Sequence, residues 1–232
     1  ALRFMLASVP AIFFIKPPSG VPFRLVFWYG MVMFAIQFSF LFMGIYAGMP
    51  PGLASLVMQI QVFFSILFAV IFLGEKPSIW EVSGAFLAFV GIVLIALHSD
   101  HDGSLFGFIF ILIAAASWGV GNLISKKIKN NSDQNMFAIV IWGSFVAFLP
   151  MFLLSLIFEG PSSIINTYHH LTWRGVSSLL YTVYASTLVG YGVWNWLLSR
   201  YTVGVIVPFT LLVPIVGILS AVLVLGESFE VW

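Results

Sequence analysis

Apolar runs of about 20 residues, separated by short loops of turn residues, fill this chain from end to end. A run of that length is what an α-helix needs to cross roughly 30 Å of hydrocarbon. Backbone amides in lipid must find their partners inside the segment, so each run is expected to be a helix. A closed barrel would instead need alternating segments of about ten residues, and the runs here are continuous. Charged residues make up 7% of the chain and hydrophobic ones 61%. A soluble domain carries about a quarter charged residues, so this chain cannot cover a water-facing surface. The expected class is all-α: a polytopic membrane bundle.

Residues 1–15 read as the end of one span, stopped by Lys16, Pro17 and Pro18. Whole spans are predicted over 25–47, 52–73, 81–97, 104–125, 136–158, 175–198 and 203–225. The connections carry glycine, proline, asparagine and aspartate, the residues that stop helices. Lys16, Arg24, Lys76, Lys126, Lys127, Lys129 and Arg200 fall in loops of one side, with Arg174 alone on the other. The excess of Lys and Arg marks the first side as cytoplasmic. The absence of a charged n-region and cleavage site before the first run gives no sign of a signal peptide. Both ends read as cut from a longer protein.

Residues 52–80 can be laid on 204–232 at a constant offset. Gly52, Ile66, Leu67, Leu73, Gly74, Glu75 and Trp80 then meet Gly204, Ile218, Leu219, Leu225, Gly226, Glu227 and Trp232. The offset spans an odd number of helices, so the two Gly-Glu corners are expected on opposite faces of the membrane. Such an inverted repeat is a mark of secondary transporters. It divides the chain into 1–97, lacking its first helix and part of its second, and 104–232, lacking its last. Two five-helix repeats would give ten spans in the full protein.

Within the spans the polar residues are few and mostly neutral. Thr187, Tyr191 and Asn195 recur every four residues and share a helix face. Trp118, Asn122 and Ser125 form a similar stripe. Ser55 and Gln59 share one face of 52–73, with Met58, Gln61 and Ser65 on another. Gln37 sits mid-span in 25–47, and Trp142 lies in 136–158. A buried amide without a partner costs about 1–3 kcal/mol, so these stripes are expected to face the interior, as interhelical glue or as the lining of a substrate cavity. Gln37, Gln59, Trp118, Asn122, Trp142, Tyr191 and Asn195 are the candidate substrate-binding residues. Arg3 is the candidate intramembrane charge, for substrate or for structural pairing. Gly84, Ala88 and Gly91 read as a small-residue ridge for close packing. Pro208 and Pro214 are expected to loosen their helix.

Other chemistries find little support. The chain has no cysteine, which removes disulfides and thiol catalysis. His98, Asp100, His101 and Asp102 read as a solvated loop rather than a metal site, as do His169 and His170. No nucleophile–base pair, phosphate loop or helical His-Glu motif is visible. No basic run suits nucleic acid, and no cofactor is expected.

Leu2-Arg3-Phe4, the Leu-Gly-Glu corners and Ser117-Trp118-Gly119 resemble the EamA type of the drug/metabolite transporter superfamily. Pro10-Ala11-Ile12-Phe13-Phe14, Gly52-Leu53-Ala54-Ser55, Asn122 with Lys126-Lys127-Ile128, and Val189-Gly190-Tyr191-Gly192 are similar to its bacterial exporters of cysteine and O-acetylserine. The resemblance implies an exporter of the bacterial inner membrane with ten helices, cytoplasmic termini and a central cavity. The expected function is export of small amino acids by alternating access, with lipid as surroundings and protons as a candidate coupling ion. No carboxylate inside a span is evident to carry them, and facilitated diffusion or exchange fits equally. A drug or other-metabolite exporter is the rival within the superfamily; an intramembrane enzyme or a structural subunit is the rival outside it.

Overall fold

A computed structural model describes residues 1–97, 104–131, 136–162 and 172–220. The main helices are α1 (Leu2–Ile12), α2 (Phe23–Tyr46), α3 (Pro51–Leu73), α4 (Ile79–Leu97), α5 (Leu105–Asn131), α6 (Met136–Phe158), α7 (173–200) and α8 (203–220). No strand occurs among the described residues. Helices α2, α3, α5 and α6 contain stretches long and apolar enough to cross a membrane. The chain is a polytopic helical bundle, as the sequence required.

Local chemistry fixes the helix ends. Pro51 stands in the first turn of α3, where its missing N–H costs nothing. Gly74 ends α3 at φ 67°, a left-handed position that a Cβ would strain. Ahead of α4, the Ser78 N–H donates to Glu81 Oε2 at 2.6 Å and the Glu81 N–H to Ser78 Oγ at 3.3 Å, a reciprocal capping box. The Gly175 N–H donates to Thr172 Oγ1 at 3.1 Å and caps α7.

The spans are not uniform α-helix. Met31–Ile36, Ala69–Leu73 and Tyr181–Gly190 are wound as π-helix, and α3 is interrupted by a turn at Gln59 and Ile60. Residues Val207–Leu212 tighten to 3-10 geometry around Pro208, which has no N–H to give the α ladder. Helix α5 runs past its apolar stretch to Asn131, so Lys126, Lys127 and Lys129 are helical rather than in a loop.

The chain forms two compact units, and each draws on both halves of the sequence. The first comprises Ala1–Phe40 and Val120–Tyr201. Its centre is α6, apolar on every side, which packs against α1, the start of α2, and α7. Gly30 and Gly143 let α2 and α6 touch backbone to backbone: a Cβ on Gly30 would stand 2.9 Å from the Gly143 Cα. The second unit comprises Leu41–Gly119 and Thr202–Trp232. There α3 packs against α4 and α8. The expected ridge of α4 is not a packing face among the described residues, since a Cβ at Gly84 or Gly91 would meet nothing within 4 Å. Close packing comes instead from glycines that sequence spacing did not single out.

Candidate functional site: a buried polar cluster

The first unit buries a chain of polar side chains inside an otherwise apolar bundle. Asn195, on α7, is fully buried and uses both ends of its amide. Its Nδ2 donates to the Tyr29 hydroxyl at 2.8 Å, and its Oδ1 accepts from Ser125 Oγ at 2.9 Å. One residue of α7 thereby ties α2 to α5. A turn away on α5, Asn122 is equally buried, and its Oδ1 accepts from Trp194 Nε1 at 2.9 Å. Trp142, on α6, donates its indole N–H to the carbonyl of Ile15 at 3.2 Å, just past the end of α1.

Arg3 marks the other end of the cluster. Its Nε donates to Thr187 Oγ1 at 2.6 Å. The π-wound turn lets the Thr187 hydroxyl donate in turn to the Thr182 carbonyl at 2.7 Å, five residues back. The guanidinium carbon lies 4.8 Å from the Phe38 ring centre, 5.4 Å from that of Phe4 and 6.0 Å from that of Tyr191. Aromatic faces at these distances offset part of the cost of a cation away from water. The Tyr191 hydroxyl stands beside the side chains of both Arg3 and Gln37. Gln37 is 1% exposed, and its Oε1 is buried with no partner. Phe34 braces the group, 5.0 Å from Tyr191 and 5.5 Å from Tyr29, edge to face in both cases.

Two sequence-predicted residues belong to the second unit. Gln59 is buried at the break in α3; its Nε2 donates to the Ser55 carbonyl at 3.3 Å and its Oε1 has no partner. Trp118 is half-buried on α5. In the same unit Gln61, which the sequence placed on a different face from Gln59, donates to Thr210 Oγ1 at 2.6 Å and joins α3 to α8.

Gln37, Asn122, Trp142, Tyr191 and Asn195 therefore lie in one unit, with Thr187 and Asn195 of the α7 stripe buried as the four-residue spacing implied. Sequence reasoning missed Tyr29. It is fully buried, but it follows Trp28 near the start of a span, where aromatic residues ordinarily mark the membrane interface. Among the described residues no group of three or more histidines and carboxylates stands where it could hold a metal. His98, Asp100, His101, Asp102, His169, His170 and Glu227 lie outside the described residues.

A model of the EamA-like transporter family matches residues 1–97 and again 105–232. The chain is 40% identical over 230 residues to a protein of Escherichia coli named as a probable amino-acid metabolite efflux pump, covering 97% of this chain and 76% of that protein. A protein of Salmonella typhimurium with the same name is 38% identical, over 98% of this chain and 77% of its own length. A probable terminal-alkyne amino-acid exporter of Streptantibioticus cattleyicolor is 27% identical over 77% of this chain and 57% of its own. One crystal structure superposes with a TM-score of 0.72 at 18% identity, over 90% of this chain and 69% of that one, which shows a shared fold.

Proposed function

The chain belongs to the EamA-like transporter family, and from that premise we propose that it exports small amino acids, cysteine and O-acetylserine among them, across a bacterial inner membrane by alternating access. The buried polar cluster carries this reading. A bundle held together by packing alone has no need of Gln37 with an open carbonyl oxygen in its interior. Gln37, Asn122, Trp142, Tyr191 and Asn195 are the positions proposed to meet substrate within the first unit, and Gln59 and Trp118 those within the second. Asn122 and Asn195 already hold Trp194, Tyr29 and Ser125. Their part is to fix the wall, while Gln37 and Gln59 have acceptors to offer. The two family matches, 1–97 and 105–232, support two repeats; set in opposite orientation, as the odd helix offset implies, such repeats exchange inward and outward openings. Export is coupled to protons or proceeds by exchange.

The test is made in cells that overproduce the full-length protein. They should release labelled cysteine or O-acetylserine faster than cells with an empty vector and should tolerate higher doses of toxic amino-acid analogues. Equal release for every amino acid, from protein shown to be folded in the membrane, would refute the substrate class. Selective release of lipophilic cations instead would favour the drug-exporter alternative.

A further inference from the structure

Three features of the first unit remain unused by the bundle's own bonding. Arg3 is a half-buried cation on the apolar helix α1, and among the described residues no carboxylate pairs with it. A cation left so is costly within a bilayer. It bonds one threonine hydroxyl and lies against the aromatic rings of Phe4, Phe38 and Tyr191. A guanidinium has five N–H donors set in a fork that matches a carboxylate in the bidentate manner, so donors remain. Arg3 also keeps part of its surface open. Beside it, Gln37 Oε1 is a buried acceptor with no donor. Both side chains stand beside Tyr191, which places a cationic donor and a neutral acceptor around one aromatic residue.

We propose that Arg3 and Gln37 form a backbone-recognition subsite for a free α-amino acid, Arg3 taking the carboxylate and Gln37 Oε1 the ammonium group. This deepens the transport reading and rests on it. Tyr191 orients both groups, and Phe4, Phe38 and Phe34 exclude water around them. Nothing in the subsite reads the substrate's side chain. It therefore selects any small α-amino acid with both charged ends free, and rejects esters, amides and des-amino acids. Arg3 also explains how a chain with almost no intramembrane charge can take up a zwitterion: the counter-charge arrives with the substrate.

The experiment uses the full-length protein in proteoliposomes. Counterflow is measured for an amino acid, its methyl ester and its des-amino hydroxy acid. Wild type should favour the free acid over the ester by about ten- to a hundredfold, the range of a hydrogen bond to a charged group. Arg3→Gln should bring that ratio close to one, and Arg3→Lys should restore part of it. Gln37→Leu should leave the acid-to-ester ratio and lose the preference for the amino acid over its hydroxy acid. A folded Arg3→Gln protein with the wild-type ratio would overturn the proposal. So would an equal loss for all three solutes, which a mere helix tether would give. Should Arg3→Gln not fold, the wild-type ratio decides: ester moved as readily as acid defeats the subsite alone. A wild type that moves no amino acid defeats the transport reading and the subsite together.

Discussion

Replacing Asn195 with alanine removes its bonds to Tyr29 on α2 and Ser125 on α5, at 2.8 Å and 2.9 Å, and leaves the Trp194–Asn122 bond between α7 and α5 in place. It leaves two buried hydroxyls behind. Ser125 can turn its hydroxyl onto a carbonyl of its own helix, as serines in helices do, so its loss is small. Tyr29 is fully buried and has no comparable retreat, because its hydroxyl stands beyond the reach of its own backbone. An orphaned buried polar group costs about 1–3 kcal/mol. Interhelical bonds measured within membranes average nearer 0.6 kcal/mol with a ceiling of about 1.7. The expected loss for Asn195→Ala is thus about 1–3 kcal/mol, most of it through Tyr29. The assay is a double-mutant cycle with Tyr29→Phe, followed by reversible unfolding of the full-length protein in mixed detergent micelles. The coupling between the two positions should be about 0.6–1.7 kcal/mol. Strict additivity, with each single change costing its full amount in the presence of the other, would refute the bond as a determinant of the fold.

Three further outcomes follow from the same geometry. Gly143→Ala should destabilise by about 1–3 kcal/mol, the usual penalty of overpacking, because its Cβ would stand 2.8 Å from Tyr29 Cδ1; Gly84→Ala, with open space around it, should be neutral or slightly stabilising in the same thermal-unfolding measurement. Ser78→Ala should cost about 1 kcal/mol by removing one arm of the capping box of α4, read as a lowered unfolding midpoint. Single cysteines placed at Lys127 and Arg174 of the full-length protein should label from opposite faces of sealed vesicles, the first from the cytoplasmic side; labelling of both from one face would break the charge-based orientation.

The helices were legible because composition leaves a chain this apolar no other way to satisfy its backbone. The span expected over 136–158 is Met136–Phe158, and that expected over 175–198 is 173–200. The error at α5 has a plain cause: apolarity ends at the membrane surface, whereas backbone hydrogen bonding continues through Lys126 and Lys127 to Asn131. Helical spacing also exposed the buried face of α7, since Thr187 and Asn195, two turns apart on one face, are its buried polar residues. What spacing could not show was partnership. Tyr29 reads as an interfacial aromatic until Asn195 is found against it, and Gly30 as ordinary until Gly143 lies across from it. The same blindness applies to the ridge expected on α4, where Gly84 and Gly91 face no neighbour among the described residues. The π-wound stretches leave no mark in the sequence either, because they arise from tertiary fit rather than from local preference.

Counterflow of labelled O-acetylserine into proteoliposomes preloaded with the unlabelled compound tests the exporter assignment most directly, with full-length protein purified and shown to be folded. Uptake above protein-free vesicles, abolished when the internal compound is omitted and competed by external cysteine, is the expected result. Equal uptake with and without protein, for this compound and for a panel of other small amino acids, would contradict it.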